Sequence, residues 1–135
     1  VCKFSSVAAE VSFIKNRIET LFEEGVAPNE IGVLHTQSFV IDKYKHELPR
    51  GVILYESRVQ TGLEYPVVFI PQVEKLFPRE TDFSWNQDQS RQRMLLYMMM
   101  TRARTDLVLS YQQKWPKNFD LLSDHVTWCE ESDLL

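Results

Sequence analysis

The chain has 135 residues with 15 Lys and Arg against 19 Asp and Glu, a net charge of -4, and 44% hydrophobic residues. That length suits one domain with a substantial core, and the acidic balance argues against a stand-alone domain that grips nucleic acid by neutralising many phosphates. Cys2 and Cys129 stand far apart and the three histidines are scattered, which gives neither a metal-ligand spacing nor a disulfide framework and fits a reducing cytoplasm.

Taken in chain order, Ser5-Ser6 caps a helix expected from about Val7 to Glu24. Val11, Ile14, Ile18, Leu21 and Phe22 recur there at three- and four-residue steps as a core stripe, and Gly25 ends it. Ile31-Gly-Val-Leu-His35 follows a Pro-Asn turn as a short apolar run, expected as a buried parallel strand, and a helix near Ser38 to Glu47 is closed by Pro49 and Gly51. Val52 to Tyr55 gives a second strand and Pro66 to Ile70 a third, whose continuous apolar character requires cover on both faces. Residues 79 to 89, which include Trp85, are expected as a mobile loop. Arg91 to Arg104 carries helix-forming residues and leads into a fourth strand, Leu107 to Tyr111. Residues 112–135 form an acidic tail without a clear assignment. Alternating strands and helices predict one α/β domain over 1–135, a RecA-like, mostly parallel sheet flanked by helices. No apolar run reaches the roughly 20 residues of a membrane span, no signal sequence is visible, and no Gly-x-x-x-x-Gly-Lys-Ser/Thr (Walker A) loop is present.

Two segments carry more information than these patterns. Thr61-Gly-Leu-Glu-Tyr-Pro-Val-Val-Phe-Ile-Pro71 resembles the K-G-L-E-F-P-V-V-F motif of UvrD, Rep and PcrA type superfamily 1 DNA helicases. Leu95-Leu-Tyr-Met-Met-Met-Thr-Arg-Ala-Arg104 resembles their L-L-Y-V-A-x-T-R-A-R motif, and Leu76-Phe-Pro78 fills the F-P step between them. The resemblance spans about residues 10 to 111 and is tight from 62 to 78 and from 95 to 111.

Helical spacing puts Leu95, Met98, Met99 and Arg102 on one stripe, so a guanidinium ends an otherwise apolar face. By itself this pattern is satisfied if Arg102 binds carbonyls of the last helical turn or pairs with Asp106. The resemblance implies an arginine finger at Arg102 that reaches the γ-phosphate of ATP held by a partner domain. Gly62 and Glu64 read alone as a turn and a solvated carboxylate; the resemblance places both at the nucleotide, with Glu64 toward the ribose. Arg58, Thr61, Arg104 and Trp85 are candidates for contact with DNA, Trp85 through base stacking. Tyr65 and the Met98-Met-Met100 run are expected to be structural, and His35, His46 and His125 to be packed or solvated.

The departures from the family pattern fall on charged positions. Thr61 replaces Lys, Glu56 and Arg58 stand for Thr and His, and Thr36 replaces the phosphate-sensing Arg of I-A-V-L-Y-R. Arg91-Gln92 stands for an acidic pair and Met94 for an Arg, while Arg93 fits. Losing a cation that faces a polyphosphate is expensive unless another replaces it, and Arg58 is a candidate substitute. The resemblance implies the C-terminal motor domain of an ATP-dependent DNA helicase or translocase, inactive alone. ATP and Mg2+ are then held mainly by an N-terminal motor domain of the same parent chain, single-stranded DNA is the other partner, and this domain has no metal site and no membrane contact. The alternative is a degenerate helicase-like domain acting as a non-catalytic protein or nucleic-acid interaction module.

Overall fold

A computed structural model gives the fold and describes residues 1–56, 64–76, 94, 96–112 and 127–130. Strands β1 (Cys2–Lys3), β2 (Ile31–His35), β3 (Ile53–Glu56), β4 (Tyr65–Ile70), β5 (Ala103–Tyr111) and β6 (Cys129–Glu130) form one sheet in the order β3-β2-β4-β5-β1-β6. Every neighbouring pair is parallel. Helices α1 (Val7–Glu23) and α2 (Ser38–Lys45) lie on one face, and α3, helical at 94 and 96–100, on the other. The sheet is therefore the expected α/β arrangement with both faces covered.

Local chemistry accounts for the element ends. Ser6 caps α1 by accepting the Ala9 N–H at 3.1 Å. At the other end Gly25, with φ 95°, donates to the Phe22 carbonyl while Val26 donates to that of Leu21. This paired closure needs a left-handed residue, for which glycine has no Cβ penalty. On one face Ile14, Ile18 and Leu21 of α1 meet Val40, Ile41 and Tyr44 of α2 over Ile31, Val33, Val67 and Phe69. On the other, Leu96 and Met99 of α3 meet Leu34, Val68, Ile70 and Leu109. Alternate residues of β2 and β4 thus enter opposite cores, which is why these strands are apolar throughout.

A register shift between Tyr65 and Val67 turns Tyr65 to the α3 side. There its ring lies against Gly32, where an added Cβ would stand 3.0 Å from Tyr65 Cδ2. The structural role expected for Tyr65 holds, and Gly32 is its complement.

Three sequence expectations are corrected. The helix expected to run to Arg104 stops at residue 100, because the chain at Ala103 pairs with Tyr65 as the start of β5. Within α3 the deeply buried residues are Leu96 and Met99, whereas Met98 and Met100 are half-buried. The cysteines are the third case: Cys2 is disulfide-bonded, and its register partner across β1 and β6 is Cys129, the chain's other cysteine. The expected absence of a disulfide rested on sequence separation, which the sheet closes. The mobile loop expected at 79–89 lies outside the described residues, as does nearly all of the 112–135 tail. Among the described residues no helix is long and apolar enough to cross a membrane.

Candidate functional site

The two signature segments meet at the amino-terminal ends of β4 and β5. Tyr65 is the register partner of Ala103, and the Tyr65 N–H donates to the Arg102 carbonyl at 2.7 Å. Glu64, Arg102 and Arg104 therefore occupy one edge of the sheet. Open α/β sheets usually bind ligands beyond the carboxyl ends of their strands, and this cluster stands at the opposite edge.

Arg102 is half-buried at the end of α3. Its Nε–H donates to the Met98 carbonyl at 3.1 Å, the Thr101 hydroxyl donates to the same oxygen at 3.0 Å, and Arg102 Nη2 approaches Thr101 Oγ1 at 3.4 Å. A cation among the last carbonyls of a helix is electrostatically favourable, so the last-turn contact derived from the residues alone is present. The guanidinium is neither sealed into the core nor fully solvated.

Glu64 and Arg104 carry exposed side chains, 59% and 65% accessible, with Arg104 Nε 3.9 Å from Glu64 Oε2. An ion pair this long and this wet contributes at most about 1 kcal/mol. Both groups can exchange each other for a ligand at small cost. The edge thus offers one solvated carboxylate able to accept from a hydroxyl and two guanidiniums suited to an anion. Gly62, Arg58, Thr61 and Trp85 lie outside the described residues.

Thr36, which stands where the family has an arginine, is on the other edge, just past the carboxyl end of β2. It is buried, and its hydroxyl donates to the Leu76 carbonyl. The bond ties β2 to the turn after β4. The distance of Thr36 from Glu64 along the parallel strands means that a threonine here leaves the Glu64, Arg102 and Arg104 cluster intact.

Beside Thr36 lies a buried polar group that sequence reasoning missed. Gln72 adopts a left-handed conformation, φ 46° and ψ 53°, and is fully buried. Its N–H donates to Glu10 Oε1 at 3.1 Å, while its carbonyl accepts from His35 Nε2 at 3.1 Å and from the Lys75 N–H at 2.9 Å. His35 Nδ1 accepts the Gln37 N–H at 3.0 Å, which makes the ring neutral with its proton on Nε2. Burial holds the His35 pKa at about 4, with the nearby Lys75 charge adding to the effect. Glu10 is fully buried, and burial first and the Glu74 charge second push its pKa up to about 7. Tyr44 donates to Glu10 Oε1 at 3.4 Å, and burial together with that carboxyl pushes the phenol up. A signal for Glu10 existed, since it falls four residues before Ile14 and eight before Ile18 on the apolar stripe of α1. Among the described residues no group of three or more His, Cys, Asp or Glu could hold a metal ion.

Residues 60–114 match the UvrD-like helicase C-terminal domain family. No curated protein matches the chain in sequence. Among solved structures, the C-terminal domain of a possible DNA helicase from Lactobacillus plantarum WCFS1 is similar in fold. The TM-score is 0.69 over 96% of this chain and 83% of that one, at 16% identity. Identity that low speaks for the fold alone. The stretch that matches the UvrD-like helicase C-terminal domain, residues 60–114, holds both signature segments.

Proposed function

We propose that the chain is the C-terminal motor domain of an ATP-dependent DNA helicase or translocase. In this reading it completes the ATP site of an N-terminal motor domain and helps to move single-stranded DNA, in a cytoplasmic parent protein. The observation that carries it is the convergence of the two signature segments through Tyr65 and Arg102 on one solvent-facing edge. The residues there suit a nucleotide: Glu64 can accept from a ribose hydroxyl, and Arg102 can place positive charge where phosphate charge develops. ATP with Mg2+ supplies the phosphoryl group when bound, held mainly by the partner domain, because this chain has no phosphate-cradling loop. Met98 orients Arg102 through the Nε–H bond, and Arg104 lies beside the Glu64 carboxylate until ligand replaces it. Gly62 belongs to the same site, while Arg58, Thr61, Arg104 and Trp85 are the proposed contacts with DNA.

The test is Arg102→Ala in the parent enzyme. ATP turnover should fall by about 10³ or more while nucleotide affinity changes far less, the pattern of a group that acts on developing charge. Turnover equal to wild type removes Arg102 from the site.

A second reading draws on the position where the family has a phosphate-sensing cation and this chain a buried structural tie, the Thr36 hydroxyl on the Leu76 carbonyl. It makes the domain a degenerate motor fold kept as a protein or nucleic-acid interaction module. The parent reading frame separates the two: a Gly-Lys-Thr phosphate loop with an Asp-Glu motif supports the motor, and a parent without them supports the module.

A further inference from the structure

The β1–β6 pair is the thinnest part of the sheet. β6 spans two residues and pairs only with β1 among the described residues, and β1 is itself a two-residue strand wedged between β5 and β6. The chain leaves the sheet after Tyr111 and returns at Cys129. Closing so long an excursion costs entropy comparable with what a handful of backbone hydrogen bonds, each of small net value, returns. A covalent link tips that balance. Cys2 is 5% exposed and disulfide-bonded, and no described cysteine is free. Adjacent strands lie about 4.8 Å apart, within the separation of roughly 4.4 to 6.8 Å between Cα atoms that a disulfide spans.

We infer that the bond joins Cys2 to Cys129 and acts as a redox-sensitive clamp that docks β6 on the sheet when oxidised and releases it when reduced. The flank of the bond admits a reductant by fraying, because Thr127 and Trp128 are exposed and Trp128 keeps 43% of its surface in solvent. The reductant is a small thiol of the glutathione class. Its thiolate attacks one sulfur and expels the other cysteine as thiolate, giving a mixed disulfide. A second thiolate then attacks the small-thiol sulfur of that mixed disulfide, leaving two cysteine thiols, protonated from solvent, that have gained the electron pair given up by the two small thiols as they become one small disulfide.

The clamp's position limits its reach. Cys2 and Lys3 pair with Ser110 and Tyr111, and Phe4 donates to the Tyr111 carbonyl at 2.9 Å, all at the carboxyl end of β5. Arg102 precedes the other end of that strand. Reduction therefore frees β6 from β1 without moving the Arg102 edge.

The full chain tests this in three measurements. Peptide mapping of oxidised protein without reductant should find the Cys2 and Cys129 peptides joined. Thiol trapping across glutathione buffers that span cytosolic to secretory-compartment poise should show the bond opening within that span. Hydrogen exchange at 129–130 should accelerate about tenfold or more on reduction, with residues 31–35 and 65–70 changing less than about twofold. Cys129→Ser should give the reduced pattern with no reductant present, and reduced wild type serves alone if that variant folds poorly. Unlinked peptides, a bond that survives every buffer, or equal exchange at 129–130 in both forms would each overturn the clamp.

Discussion

The backbone N–H of Tyr65 donates to the carbonyl oxygen of Arg102 at 2.7 Å, and this bond fixes the Arg102 backbone independently of its side chain. The consequence is a separation of roles at one residue. Arg102→Ala loses the Nε–H contact with Met98 and the Nη2 contact with Thr101 but keeps the bond to Tyr65 and the turn into β5. Chemical denaturation of this domain should show a loss on the order of 1 kcal/mol, the small net value of hydrogen bonds at a half-buried site. A loss of several kcal/mol would mean that the guanidinium is structural, and the drop in turnover expected for the parent would then have another explanation.

Gly32→Ala should be costly for a reason specific to its neighbour. The added methyl would stand 3.0 Å from Tyr65 Cδ2, a contact that the buried ring cannot escape without disturbing the register shift that places it there. Overpacking of this kind costs roughly 1 to 3 kcal/mol. Tyr65→Leu removes the ring edge, so the double variant should recover part of the loss. Additivity in the double-mutant cycle would show that the two positions do not meet.

How much of this was legible in advance follows from which forces act locally. The buried strands Ile31–His35 and Tyr65–Ile70 and the capped helix Val7–Glu23 are written in short-range patterns, and each was found within a residue or so. The helix through Met99 was overextended because Ala103 and Arg104 favour helix locally, while strand pairing with Tyr65 overrides that preference. Two-residue strands carry no periodicity, so β1 and β6 were missed, and with them the meeting of Cys2 and Cys129. At the candidate site the resemblance named Arg102, Glu64 and Arg104, which the fold brings to one edge. It could not tell that Thr36 lies on the other edge, because that depends on which end of a parallel strand each motif borders.

Glu10→Gln should change the pH dependence of stability rather than only its size. The folded pKa of about 7 lies above the ordinary 4.5, so the folded protein keeps a proton that the unfolded chain releases between those values. The stabilisation from this group is complete below pH 4.5 and is lost as pH rises through 7, on the order of 3 kcal/mol for this interval. Glutamine can still accept the Gln72 N–H through its carbonyl oxygen but cannot ionise. The stability of wild type relative to the variant, followed by denaturant midpoints, should therefore fall between about pH 4.5 and pH 7 and stay level above pH 7. Parallel curves would place the Glu10 pKa in the normal carboxylate range.

His35 produces the opposite slope. Its folded pKa of about 4 lies below the ordinary 6.5, so the stabilisation it contributes is complete above pH 6.5 and is lost as pH falls through 4. The structural cause is explicit: Nδ1 already accepts the Gln37 N–H, so a proton added there destroys that bond and puts a charge into a buried site next to Lys75. Between about pH 4.5 and 6.5 the Glu10 and His35 slopes nearly cancel, which predicts a stability maximum on a shallow plateau rather than a sharp peak. His35→Gln cannot gain this proton, and it should remove the acid-side loss while weakening the hold on the Gln72 carbonyl at all pH values. Imidazole titration followed by NMR supplies the direct check: a His35 midpoint near 6.5 in the folded protein would mean that the Nδ1 contact does not hold the ring neutral.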